Sequence, residues 1–491
     1  MRTLSKTLVA LLVVVLMPAQ AAFGQQFVPK GVDESKGDVA VLVKDIFTTG
    51  ASFVMNRGQE DSEGNMPFCK SLNSESCRTG ANDDLVVFQM LPLCQIDSTS
   101  SCIEGLSIYS DGSEPQPATY VRNVQGIQFA GLPRVGLPAS YTPSIWEAAA
   151  TPNSAGSTKY VVGAQIRWSY YKGKLSLQSF SSAVHPVEEL SGPEWVPSHV
   201  GVFTRNGKQQ TYLDAGRGNS DIECAATDTG YCAKIVDFAA GTKVSLDLRL
   251  SKEVTGWLQG RISKPTISVK SYNADLNTVK VDASPVSVPQ FYTELKMKDQ
   301  PKWLQDALYW WHTTDGDNNA GGRKWRIYSA EGEGVVKITK ALAKKSSDSA
   351  AHVATRWNIS SLNLVNTGNR CLDNSSRLVG LVTTNALAYS GGVPRFKNGF
   401  LSYQVAGAHY LPDGVTKAEG TYDLALRSET ARCLYGFSKA PISGTVSVIG
   451  DRGEKRIATT VVREKSGWLT MAAYGFTFSS PTIKVKLTQK R

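Results

Sequence analysis

The residues in this 491-residue chain best placed by type to do chemistry are its closely spaced carboxylates. Glu331 and Glu333 stand two apart in SAEGEGVV, a spacing that puts both on one face of a strand. Glu188 and Glu189 are adjacent, as are Asp83 and Asp84. Two carboxyl groups about 5–10 Å apart can serve a glycosidase as acid and as base or nucleophile. The same pairs also suit a solvated surface, and no other signature joins them. GxSxG, HExxH, Walker and GxGxxG motifs are absent, and the five histidines (185, 199, 312, 352 and 409) are scattered. In TDGDNNAGG (314–322), Asp315, Asp317 and Asn319 match the first three ligand positions of an EF-hand loop. Ala320 then stands where glycine is needed and Arg326 where the bidentate glutamate belongs, so that motif fails. No cofactor is called for.

Aromatic residues offer binding chemistry instead. PKWLQDALYWWH (301–312) gathers Tyr309, Trp310, Trp311 and His312, and RWSYYKGK (167–174) puts Trp168 and Tyr170 on one strand face. Exposed aromatic faces can stack on sugar rings. The competing assignment is core: Trp303, Ala307, Trp310 and Trp311 fall at i, i+4, i+7 and i+8, the stripe by which a helix packs.

Eight cysteines carry the third chemistry. CKSLNSESC, CQIDSTSSC and CAATDTGYC share one spacing, and the two cysteines left over sit in matching RCL contexts. The pairing expected is Cys69 with Cys77, Cys94 with Cys102, Cys224 with Cys232, and Cys371 with Cys433. The short loops are too polar to order themselves by burial. Cross-linking removes unfolded-state freedom instead, by about 2.6 kcal/mol for a nine-residue loop. No CxxC set accompanies them, so metal binding is disfavoured.

The elements that must position these groups begin after a targeting segment. Arg2 and Lys6, the apolar run 8–17 and the AQA site at 19–21 predict a secretory signal peptide over 1–21. No later run is apolar enough to span a bilayer. The mature chain is therefore expected to be secreted, or held at the cell surface without covalent attachment, in the oxidising setting where disulfides persist.

Charge divides the mature chain. Residues 25–120 carry 14 acidic and 6 basic side chains, although the whole chain is +10. An acidic, disulfide-stapled β unit is expected over 25–118. An ungapped internal repeat lies beyond it: 246–265 and 422–441 align Asp247 with Asp423, Leu250 with Leu426, Leu258 with Leu434 and Gly260 with Gly436. Short alternating segments such as TIKVKL (482–487), separated by Asn-Gly, Asp-Gly and Gly-Gly turns, read as antiparallel strands. The fold class expected is mainly β, with two duplicated antiparallel β-sandwich-like domains at 119–290 and 358–491. A helical, Trp-rich connector is expected over 291–357, with helices at 301–312 and 346–357, and one or two helical turns at 142–150.

These features lead to a non-enzymatic binding or structural protein whose partner is a glycan or an anionic wall polymer. The positive balance favours polyanions, and no nucleic-acid motif accompanies it. Two alternatives stand beside it: a glycan-directed hydrolase using carboxylates near 301–333, and an envelope component that self-associates through strand edges.

Overall fold

The computed structural model describes residues 39–43, 51–57, 67–74, 84–205, 208–214, 222–290, 292–310, 313–314, 325–327, 331–362, 367–373, 376–450, 455–456, 458–478 and 481–489. The segment 1–21, expected to be a signal peptide, lies outside them, as do Cys77, Asp83, Trp311, His312 and 315–322.

Strands dominate the described residues, with three α-helices among them. The local cause is two-residue alternation. In Thr482–Gln489, Ile483, Val485 and Leu487 are buried and Lys484 and Lys486 are exposed, so one face meets a core and the other meets water. Leu378–Thr384 is buried along its whole length because both of its faces are covered. Leu378 and Leu381 enter one apolar cluster, and Val379 and Val382 enter another. Gly256–Ser271 runs parallel to this strand and Glu419–Arg427 antiparallel to it, and both split their side chains in the same way. These three strands form a wall between two cores.

The first core collects Val87, Leu106, Tyr160, Phe180, Leu246 and Trp357, among others. The second is closed on its far side by a six-stranded sheet built on Phe400–Ala406, Thr482–Gln489 and Ile442–Ile449. Tyr403, Val446 and Val485 from that sheet meet Leu424, Leu469 and Phe476 from the wall side.

Sequence and structure part company in several places. The acidic 25–118 stretch is not set apart: Asp84–Met90 pairs with Lys159–Tyr171, and Cys102–Ser110 pairs with Thr242–Ser251. Residues 142–150 contribute the strand Ser144–Glu147 instead of helical turns. Residues 346–357 contribute the strand His352–Arg356, which pairs with Leu276–Gln290. Helix α1, Lys302–Trp310, forms as expected but packs a different stripe. Over residues 302–308 its buried side chains are Leu304 and Leu308, and Trp303 stays exposed beneath the ammonium of Lys337, 4.2 Å from the ring centroid.

Two further helices have no counterpart in the sequence expectations. Helix α2, Glu333–Ala343, buries Val335, Val336, Ile338, Thr339 and Leu342, an i, i+3, i+4 pattern. Helix α3, Ser428–Tyr435, lies inside the second repeat copy. The copies match as strands up to Arg427 and then diverge. Leu258 and Gly260 stay in a strand, whereas Leu434 is helical and Gly436 caps α3 at φ +66°.

Three of the expected disulfides are formed: Cys94–Cys102, Cys224–Cys232 and Cys371–Cys433. Cys69 is also disulfide-bonded, and its expected partner Cys77 lies outside the described residues. No helix among the described residues is long and apolar enough to cross a membrane.

Candidate functional site

The carboxylates of the expected pairs that lie among the described residues meet different neighbours. Glu331 accepts a hydrogen bond from the Gln259 side chain and bridges to Tyr389. Glu333 starts α2, and its carboxylate pairs with the exposed Arg395 at 2.7 Å. Glu188 is held by Lys234 at 3.0 Å, and Glu189 accepts the Tyr231 hydroxyl hydrogen at 3.0 Å. Asp84 sits at a strand start opposite Tyr171. Among the described residues no group of three or more His, Cys, Asp or Glu side chains could hold a metal ion.

The strand face carrying Trp168 and Tyr170 is core. Trp168 is 7 % exposed, and its indole N–H donates to Gln89 Oε1 at 2.8 Å on the neighbouring strand. Tyr170 is partly buried against the same cluster. The ring that reaches solvent there is Tyr171. Tyr309 and Trp310 fall at the C-terminal end of α1, while Trp311 and His312 lie outside the described residues altogether.

A strong electrostatic perturbation belongs to groups sealed from substrate. Asp423 is fully buried, and burial pushes its carboxyl up to about 7. The Tyr474 hydroxyl and the Lys264 backbone N–H donate to it and partly offset that effect. The Arg261 guanidinium, equally buried, donates to the carbonyls of Thr384, Ala386 and Leu387 and lies 4.8 Å from the Tyr389 ring centroid. Arg261 fastens the wall to the loop after Leu378–Thr384, and Asp423 ties strands of the wall to one another.

The six-stranded sheet offers an accessible constellation instead. Its strands Ala388–Tyr389, Arg395–Lys397, Phe400–Ala406, Ile442–Ile449, Lys455–Arg456 and Thr482–Gln489 hold six basic residues and no acidic one. The chain as a whole sets 43 acidic side chains against 53 basic, so this segregation is specific to the sheet.

Register places four of the cations. Arg395 stands opposite Ser402, which stands opposite Lys484, which stands opposite Ser447. Two residues along, Lys397 stands opposite Phe400, and Lys486 stands opposite Thr445 with its ammonium 5.6 Å from the Phe400 ring centroid. All four basic side chains are on the exposed side, because their strand neighbours fill the second core. Standard strand geometry spaces them at about 7 Å along a strand and about 10 Å across two. Ser402, Ser443, Thr445, Ser447 and Thr488 lie between and beside them. The result is a cationic, hydroxyl-bearing lattice on a rigid sheet, able to accept anionic groups without ordering a loop. TIKVKL reveals half of this lattice in the sequence. Arg395 and Lys397 escape a sequence reading because only the strand register brings them beside it.

No protein-family model matches the chain, and no curated protein is significantly similar to it.

Proposed function

We propose that this is an exported, non-enzymatic binding protein that holds an anionic polymer against the outer face of the six-stranded sheet. The observation that carries the proposal is the segregation of charge, four exposed cations in register with no acidic residue in the strands of the sheet. A summed field of this kind attracts a polyanion before any specific contact forms. Export is supported by the leader-like segment 1–21 and by the disulfides. The match between 246–265 and 422–441 fits one strand unit copied and then reshaped, the second copy becoming part of the binding half.

The test is retention of the mature protein on immobilised polyanions and on neutral dextran, across a salt series. Retention on the polyanions alone, weakening steadily with salt and lost in Lys484→Gln/Lys486→Gln, supports the proposal. Equal retention on dextran, or no change in the variant, refutes it.

A further inference from the structure

We infer that the polymer is a carboxylated polysaccharide of the polyuronate class, laid across the strands of this sheet. The inference rests on the reading of the face as a polyanion site and adds the ligand's chemistry to it. Three observations carry it.

First, the cations do not stand alone. Ser402 and Ser447 flank Lys484 in one row, and Thr445 neighbours Lys486 in the next. A hydroxyl both donates and accepts. A bare polyphosphate presents acceptors alone and would leave the acceptor capacity of these hydroxyls unused. A sugar chain presents hydroxyls that donate and accept beside its carboxylates, so it can match the charges and the polar groups between them.

Second, the face already receives a carboxylate. Glu333, from the first turn of α2, reaches Arg395 at its edge with an N–O distance of 2.7 Å, and the two side chains are 58 % and 70 % exposed. An exposed pair of this kind contributes little stability. A polymer carboxylate can therefore take the position that Glu333 now holds.

Third, among the described residues the face has no stacking platform. Non-specific single-stranded nucleic-acid sites rely on aromatic faces presented in series. The one aromatic residue in the cationic rows is Phe400, half-buried, with the Lys486 ammonium beside it.

The experiment titrates the mature protein with an oligouronate, with polyphosphate of matched charge and with oligo-dT at one ionic strength. Two surface variants accompany the parent, Ser402→Ala/Ser447→Ala and Lys484→Gln/Lys486→Gln. The parent is expected to bind the oligouronate about tenfold more tightly than the other two, since one or two added hydrogen bonds are worth about that factor. The hydroxyl variant should lose about that factor for the oligouronate and clearly less for polyphosphate, which uses the hydroxyls as donors only, and the charge variant should lose both. If polyphosphate or oligo-dT binds as tightly as the oligouronate, or if the hydroxyl variant changes nothing, the inference fails while the polyanion reading stands. If none of the three binds, both fail.

Discussion

Two buried groups should give this protein opposing pH dependences that single substitutions will separate. Burial is the main cause that lowers His185 from 6.5 to about 4, with the nearby Arg356 charge adding to it and Glu223 opposing. Burial also raises Asp423 from 3.8 to about 7, against the hydrogen bonds from Tyr474 and Lys264. The signs come from proton counts. Between pH 4 and 6.5 the unfolded chain protonates His185 and the folded protein does not, so that contribution is complete above the unfolded value and is lost as pH falls. Across nearly the same window the folded protein keeps a proton on Asp423 that the unfolded chain releases, so that contribution is lost as pH rises. Each full pH unit is worth about 1.4 kcal/mol, and titration is incomplete near the ends of each window. From pH 4.5 to 6.5 each group therefore changes stability by about 2.3 kcal/mol, and the two nearly cancel. Urea unfolding followed by tryptophan fluorescence at both pH values reads this directly. Relative to the parent, Asp423→Asn should gain about 2.3 kcal/mol over the interval and His185→Gln should lose about as much. The fixed cost of each substitution drops out, because only the change with pH is compared. Variants whose stability difference from the parent stays the same within about 0.5 kcal/mol at the two pH values would overturn this account, since neither carboxyl nor imidazole would then titrate where its burial requires.

Loss of the long disulfide by Cys371→Ser/Cys433→Ser should cost about 4 kcal/mol, because the bridge closes a 62-residue separation. Urea unfolding of parent and variant measures this, and an unchanged midpoint in the variant would contradict it. Gly380→Ala should destabilise by about 2–3 kcal/mol through overpacking. A β-carbon there would lie 2.4 Å from Cζ3 of Trp257, a fully buried ring whose indole N–H is held by the Leu372 carbonyl. A midpoint matching the parent would show that the ring can move aside.

Strands and disulfides were legible because their signals are local. Alternation over a few residues is enough to announce Thr482–Gln489, and a repeated Cys spacing is enough to announce a stapled loop. Strand partners are not local. Nothing within 84–90 names 159–171 as its neighbour, which is why the acidic segment reads as a separate unit although it is hydrogen-bonded into the main sheet. The repeat shows a second limit. Gly260 and Gly436 align, yet one is glycine because the Asn358 carbonyl oxygen would lie 2.2 Å from a β-carbon, and the other because the end of α3 needs positive φ. Identical letters met two different steric demands, so the alignment carried no guarantee of one structure.

The candidate site divides along the same line, and the division comes from what each side chain costs to bury. Tryptophan serves a core and a binding platform almost equally well, since its large apolar surface gains from either and its single N–H needs only one partner. Trp168 found that partner in Gln89, a residue 79 positions away, so its fate was decided by register and not by its own neighbourhood. Lysine is far less ambiguous. An unpaired ammonium in a core is prohibitively costly, so a strand that alternates lysine with isoleucine, valine and leucine must turn the lysines to water. Placing Arg395 and Lys397 in the neighbouring strand then makes one cationic surface out of two separate stretches of sequence. On a β-rich chain the alternating basic residues are accordingly a better guide to a solvent-facing surface than the aromatic clusters that first draw the eye.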